Sequence, residues 1–332
     1  MSKNTVHRLG LQFDDNTLVP YLFGEHGSHL SRIEDMLGVD ISTKGNEIVM
    51  SGTLDELKAA QTALDSLWER LRTNLSVGPD EVDAAIRIAN SSLDPATRDL
   101  AKAAFIEPDL KVKTQNKHIT ARSPNQAKYL KALREKDLTF GLGPAGTGKT
   151  YLAVAQAVEM LQNGDVDRLI LCRPAVEAGE NLGFLPGDLQ EKVDPYLRPI
   201  YDALHEMLPA ETIVQMLAKG QIEVAPLAFM RGRTLSNAFI VLDEAQNTTK
   251  AQMKMALTRI GENSRMAITG DPSQIDLPRP DQSGLVDAMH ILKGIRDIGF
   301  IKFNDTDVVR HHLVSKIVRA YDKGDKKAQK KD

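Results

Sequence analysis

Leu138-Thr139-Phe140-Gly141-Leu142 followed by Gly143-Pro144-Ala145-Gly146-Thr147-Gly148-Lys149-Thr150 is the stretch on which the reading of this chain turns. The first five residues form an apolar, β-like run. The next eight form a glycine-rich loop, and an amphipathic pattern from Tyr151 to Leu161 then predicts a helix. Glycines let a backbone fold round phosphate oxygens without side-chain collisions. Backbone N–H groups and the helix N-terminus then face the anion. Gly143, Pro144, Ala145, Gly146, Thr147 and Gly148 are therefore expected to cradle a nucleoside triphosphate. Lys149 would reach its terminal phosphates, and the Thr150 hydroxyl would sit on Mg2+. The alternative is a chance turn. Average residue usage produces such a match in about one chain per hundred, and the strand–loop–helix setting makes it rarer.

Two further strand-like runs end in polar residues. Phe239-Ile240-Val241-Leu242 delivers Asp243-Glu244-Ala245-Gln246 at its C-terminal end, where ligands of open α/β sheets sit. Asp243 is expected to hold Mg2+, and Glu244 to orient or deprotonate a water. Taken alone, the pair reads equally well as an acidic helix cap. Met266-Ala267-Ile268-Thr269 runs into Gly270-Asp271-Pro272-Ser273-Gln274. Gln274 suits a γ-phosphate sensor, although the segment by itself is a plain Gly-Asp-Pro turn.

From 137 to 320 apolar runs (Leu138–Leu142, Leu169–Cys172, Ala238–Leu242 and Arg265–Thr269) alternate with helical patterns. That texture predicts an α/β class with a parallel sheet and crossover helices. The expected organisation is a small α+β domain over 1–75, a helical and basic connector over 76–117, a P-loop ATPase domain over 118–321 and a Lys-rich tail over 322–332. Helices are expected over Asp80–Asn90 and Asp94–Ala104 of the connector.

Composition narrows the class. The chain has 332 residues, 42% hydrophobic and 26% charged, with net charge -3. No global positive field argues for nucleic acid, so any such contact must be local. One cysteine, Cys172, excludes a disulfide framework and makes the cytoplasm the expected compartment. No stretch is apolar enough to predict a membrane span.

The three segments Gly-x-Gly-Lys-Thr, Asp-Glu-Ala-Gln and Gly-Asp-x-x-Gln together resemble the core of superfamily 1 helicases. Asn125-Gln126 resembles their adenine-reading glutamine, which makes Gln126 a candidate contact to the base. A closer resemblance covers nearly all of 118–321. Arg173-Pro174-Ala175-Val176-Glu177-Ala178-Gly179-Glu180, Gly183-Phe184-Leu185-Pro186-Gly187, Met230-Arg231-Gly232-Arg233-Thr234-Leu235, Leu242–Asn247, Thr269-Gly270-Asp271 and Val308-Val309-Arg310-His311 look like the PhoH family of ATPases. The resemblance implies a RecA-like domain that hydrolyses ATP with Mg2+ in RNA metabolism. It also implies partnership with an endoribonuclease or a ribosome-maturation factor.

A helicase motor needs two RecA-like cores, and this chain has room for one. Either a neighbour completes the site or the protein does not translocate, and assembly into a homo-oligomeric ring is therefore expected. An arginine often supplies the missing cation in trans. Arg310 is the leading candidate and Arg231 and Arg233 are its rivals. For each, a salt bridge or a solvated face is the more common fate of an arginine.

At the N-terminus, Gly24-Glu25-His26-Gly27 is followed by a short helix to Gly38, strands Val39–Ser42 and Glu47–Ser51, and a helix to about Leu71. This order resembles a KH domain, in which the loop clamps single-stranded nucleotides. Gly24 and Gly27 are thus candidate RNA contacts. Against this, the loop interior is Glu25-His26, and the segment 1–75 holds seven Lys/Arg against eleven Asp/Glu. A packing or protein-docking role fits the shape equally. His26 and His29 read as surface residues that gain charge at mildly acid pH. The stretch from Leu110 to Arg134, with seven Lys/Arg and no acid, offers a second route to RNA through Lys111 and Lys113.

Three functional classes follow. The first is an ATPase that remodels or unwinds RNA. The second is an ATP-switched adaptor that binds RNA and protein, and recruits a nuclease without unwinding. The third, a small-molecule kinase, is disfavoured by the Asp243-Glu244 strand.

Overall fold

A computed structural model describes residues 6–90, 95–106, 111–174 and 189–308. The first unit runs β1 (His7–Gln12), α1 (Val19–Phe23), α2 (Ser28–Leu37), β2 (Asp40–Lys44), β3 (Glu47–Gly52) and α3 (Leu54–Arg72). Its three strands form an antiparallel sheet in the order β1-β3-β2. Helix α2 buries His29, Leu30, Ile33 and Leu37, a helical spacing. Helix α3 starts at a capping box, in which the Thr53 hydroxyl and the Glu56 carboxylate satisfy each other's backbone N–H.

The connector is a packed bridge. Helices α4 (Pro79–Ala89) and α5 (Pro95–Ile106) follow the expected stretches closely. α4 packs on α3, and α5 packs on α6 (Pro124–Glu135). Between α5 and α6 the chain makes a small antiparallel hairpin, β4 (Val112–Lys113) with β5 (His118–Ile119). The described part of the basic stretch, 111–134, is thus a hairpin and a helix.

The remaining elements are β6 (Leu138–Leu142), α7 (Lys149–Asn163), β7 (Arg168–Arg173), α8 (Leu189–Met207), α9 (Ala210–Ala218), β8 (Ile222–Pro226), β9 (Ala238–Leu242), α10 (Lys250–Leu257), β10 (Arg265–Gly270), α11 (Gly284–Ile291) and β11 (Ile298–Lys302). The strands form a six-stranded parallel sheet in the order β11-β6-β10-β9-β7-β8. This is the RecA-like P-loop α/β architecture. β6 and β9 are buried along their whole length, as strands covered on both faces must be. Alternate residues serve the two faces: Phe239 and Val241 join one apolar cluster, Ile240 and Leu242 the other. The first cluster runs without a break from Phe13 and Trp68 through Phe105 to Val241, so one core ties the N-terminal unit and connector to the large sheet.

The strand order positions the site. β10 lies between β6 and β9, which brings the C-terminal ends of the three strands side by side. No helix among the described residues is long and apolar enough to cross a membrane.

Candidate functional site at the C-terminal ends of three parallel strands

The chain leaves β6 at Leu142 and turns at Gly143, whose φ is 141°. A Cβ there would lie 2.5 Å from the Phe303 carbonyl oxygen, so a side chain fits neither the backbone conformation nor the space. The Gly143 N–H donates to Gly270 O, and the Phe303 N–H to Leu142 O. The loop is thereby pinned to the end of β10 and to the residue after β11. Gly146 and Gly148 are also left-handed, and α7 opens at Lys149. Lys149 reaches back along the loop and donates to Gly143 O at 2.7 Å and Pro144 O at 2.8 Å. Its ammonium is held at the centre of the glycine-rich loop.

Strand register brings the partners level. Cys172 pairs with Leu242, and Ile268 pairs with Leu242 from the other side. The next residues, Arg173, Asp243 and Thr269, therefore stand side by side. Asp243 is 5% exposed. Its Oδ1 accepts from Thr150 Oγ1 and Thr269 Oγ1, both at 2.6 Å. Its Oδ2 lies 3.6 Å from Arg173 Nε. Arg173 also reaches Glu244, with Nη2 3.3 Å from Oε1.

Glu244 adopts φ 53° and ψ 38°, a left-handed conformation that costs a non-glycine residue about 1–2 kcal/mol. The turn projects its half-exposed carboxylate into the cleft. Gln246 Nε2 donates to Glu244 Oε2 at 2.6 Å, and Gln246 Oε1 accepts from Asp271 N at 3.1 Å. A buried carboxamide thus links Glu244 to the turn after β10. From that turn, Gln274 Nε2 donates to Asp271 Oδ2 at 2.7 Å. Lys149, Thr150, Arg173, Asp243, Glu244 and Gln274 all line one cavity of about 400 Å³.

Behind β6, burial and the Asp243 charge push the Tyr129 hydroxyl well above its usual range. Burial pushes the Cys172 thiol up to about 12, next to the Asp243 and Glu223 carboxylates.

Gln126 sits at the loop's rim, 3% exposed. Its Oε1 accepts from Arg122 N at 2.7 Å and its Nε2 donates to Thr147 O at 3.0 Å. It ties the segment before α6 to the glycine loop.

Two expectations, for Lys111 and His29, need correction, and the other candidates take the places given with them. Arg233 makes a bidentate ion pair with Glu223 at 2.6 and 2.7 Å. Arg231 is exposed. Lys111 is 5% exposed and cannot present its charge to a strand, and desolvation lowers the pKa of its ammonium. Lys113 is exposed. His29 is buried, with Nδ1 3.1 Å from Leu22 O, so it is not a surface residue. Gly24 and Gly27 are both left-handed and flank exposed Glu25 and His26. Arg310 lies outside the described residues, as do 175–188 of the motif stretch that begins at Arg173.

Three residues without an expected role prove central. Thr269 and Gln246 stood in quoted motifs and reveal themselves only through cross-strand bonds. Arg173 closes the Leu169–Cys172 run, and only the β7–β9 register shows that it faces two carboxylates.

Comparison with known proteins agrees with this geometry. The profile of the PhoH-like protein family matches residues 118–322. A PhoH-like protein of Bacillus subtilis is 50% identical over 91% of this chain and 93% of its own length. One of Mycobacterium tuberculosis is 46% identical over 92% and 85%. Protein PhoH of Escherichia coli is 48% identical over 61% of this chain and 58% of its own. Among solved structures, the Sulfolobus solfataricus SWI2/SNF2 ATPase core in complex with dsDNA aligns with TM-score 0.31 and 16% identity, over 54% of this chain and 44% of that one. That likeness is too slight to carry an argument. The family profile and the near full-length relatives carry one: this chain, with its P-loop NTPase core, belongs to the PhoH-like family.

Proposed function

We propose that the protein is a Mg2+-dependent ATPase that remodels or unwinds RNA in RNA processing or ribosome maturation. The observation that carries hydrolysis is the convergence of Lys149, Thr150, Asp243, Glu244 and Gln274 on one cavity. Lys149 stabilises charge growing on the β- and γ-phosphates. Glu244 orients and deprotonates the attacking water. Gln274 contacts the γ-phosphate, and Arg173 sets the Glu244 carboxylate.

The donor set fits Mg2+. Thr150 and Asp243 offer hard oxygens 2.6 Å apart. No cluster of three or more His, Cys, Asp or Glu side chains able to hold a metal is found among the described residues. A site shared with substrate phosphates is the usual arrangement for this ion. When bound, it neutralises charge between the β- and γ-phosphates.

Support for RNA is the N-terminal unit. Its β-α-GxxG-α-β-β-α order and three-stranded antiparallel sheet support a KH-like reading. Assembly into a ring, with Arg310 acting in trans, would complete a site that one core leaves open on one side. The test is the rate of phosphate release with and without single-stranded RNA, in the wild type and in Lys149→Ala. Stimulation by RNA that vanishes with Lys149 supports the reading. Hydrolysis indifferent to RNA removes the RNA part of it.

A second reading is favoured by Glu25 and His26, which put no permanent cation in the Gly24–Gly27 turn. The protein would then act as an ATP switch that recruits an endoribonuclease without unwinding. Equal strand displacement with ATP and with a non-hydrolysable analogue would favour it.

A further inference from the structure

The phosphate cavity is poor in positive charge. Among the described residues its lining holds five carboxylates (Asp202, Glu206, Asp243, Glu244 and Asp271) and two cations, Lys149 and Arg173. A triphosphate brings further negative charge, and more gathers on the γ-phosphoryl oxygens as the reaction proceeds. Lys149 serves the loop side, where it lies against Gly143 O and Pro144 O. Arg173 serves the other side. It ends β7, next to Asp243 at the end of β9, and its guanidinium stands between Asp243 and Glu244.

The ion pairs of Arg173 differ from those of two other arginines. Arg233 closes a fork on Glu223 at 2.6 and 2.7 Å, and Arg32 closes one on Asp83 at 2.5 and 2.7 Å. A fork of that kind commits a guanidinium to one carboxylate. Arg173 lies 3.6 Å from Asp243 and 3.3 Å from Glu244. Shared loosely between two carboxylates, its planar donor set can pass to a phosphate at low cost.

The two oxygens of Glu244 are held unequally. Gln246 Nε2 donates to Oε2 at 2.6 Å, whereas Arg173 Nη2 stands 3.3 Å from Oε1. Oε2 is fixed by a short hydrogen bond to a buried carboxamide. Oε1 carries the looser contact and opens when the guanidinium moves.

We propose that Arg173 is a catalytic residue acting within its own chain: its guanidinium passes from Glu244 to the γ-phosphate of the nucleotide and clears Glu244 Oε1 for the attacking water. The water oxygen bonds to the γ-phosphorus, and one water proton goes to Oε1. The bond from the γ-phosphorus to the bridging oxygen breaks, leaving its electron pair on the departing diphosphate. Arg173 neutralises the charge that gathers on the other γ-phosphoryl oxygens. The proposal rests on the reading of Gly143–Thr150 and Glu244 as a hydrolytic site. It goes further by giving Arg173 a contact to the substrate, where setting Glu244 needs none.

The test measures, by calorimetry on the full chain, the affinity for a non-hydrolysable ATP analogue with Mg2+ and for ADP with Mg2+. Arg173→Ala is expected to weaken the analogue by about tenfold or more and to leave ADP, which has no γ-phosphate, within about twofold. The same selective loss is expected when Arg173→Ala is added to Glu244→Gln, because a residue acting only through the Glu244 carboxylate has nothing left to lose there. Arg173→Lys keeps the charge without the fork and is expected to fall between wild type and Arg173→Ala. Mixing Arg173→Ala with Lys149→Ala is expected to restore no phosphate release, since the arginine and the loop must share one chain. Equal weakening of analogue and ADP in both Arg173→Ala and Arg173→Lys, no weakening of either, loss of selectivity in the Glu244→Gln background, or recovery on mixing would overturn the proposal and leave the hydrolytic site standing. Wild type that binds neither nucleotide would overturn the site and the proposal together.

Discussion

The turn at Gly24–Gly27 and the loop at Gly143–Thr150 use the same backbone device. Each holds left-handed glycines just before a helix, Gly24 and Gly27 before α2, and Gly146 and Gly148 before α7. Their surroundings differ. The first turn carries Glu25 and His26 in its interior, and a Cβ at Gly27 would meet open space. The second lies where β6, β10 and β9 end together, among Lys149, Asp243 and Glu244. A glycine turn supplies backbone donors and room. The chemistry comes from what neighbouring strands deliver to it, and only the parallel sheet delivers charged side chains to a fixed point.

Breaking the richer loop should therefore cost most. Lys149→Ala is expected to lower phosphate release by about 10³-fold or more and to abolish detectable nucleotide binding by calorimetry. Glu25→Ala at the other turn should leave both within about twofold. Retained hydrolysis in Lys149→Ala would mean that the cradle is not the site.

Arg173→Ala should follow, with kcat down by about tenfold to a hundredfold because Glu244 loses its orienting ion pair. Restoration by Arg173→Lys should be only partial, since the guanidinium reaches both Asp243 and Glu244. An unchanged kcat in steady-state assays would reduce this pair to a structural salt bridge.

The two turns should also differ in stability. Gly143→Ala drives a Cβ into the Phe303 carbonyl and should cost about 2–4 kcal/mol. Gly27→Ala meets only the left-handed penalty, about 1–2 kcal/mol. Denaturant midpoints compare them directly, and equal losses would deny the difference in packing.

The smallest effect concerns Cys172. Its folded-state pKa is raised, so the native protein keeps a proton that the unfolded chain loses above about pH 8.5. Stability from this group is full below that pH and falls as pH rises toward 12. Maleimide labelling at pH 8 should be negligible in the native protein and rapid in denaturant. Ready native labelling would contradict the burial.

What could be read beforehand follows from periodicity. β6 and β9 match the expected strands residue for residue, because strands covered on both faces are uninterrupted apolar runs. β1 was not foreseen as a strand: His7–Gln12 alternates half-exposed and exposed positions and contains a glycine. β8 and β11, at the edges of the sheet, are only partly buried and carried no clear pattern. Asp243 and Glu244 were legible because a strand ends on them. Arg173 and Gln246 were not, because their roles arise from register between strands far apart in sequence. The burial of Lys111 is not legible, because a run of basic residues does not reveal which side chain the hairpin folds inward.

The central claim is that this cavity hydrolyses a nucleotide rather than merely holding one. The most direct measurement is Mg2+-ATP affinity and phosphate release side by side in wild type and Glu244→Gln, a change that keeps shape and removes the base. Affinity is expected within about threefold of wild type and phosphate release lower by about 10²–10⁴-fold. Phosphate release at the wild-type rate in Glu244→Gln, with binding intact, would contradict it.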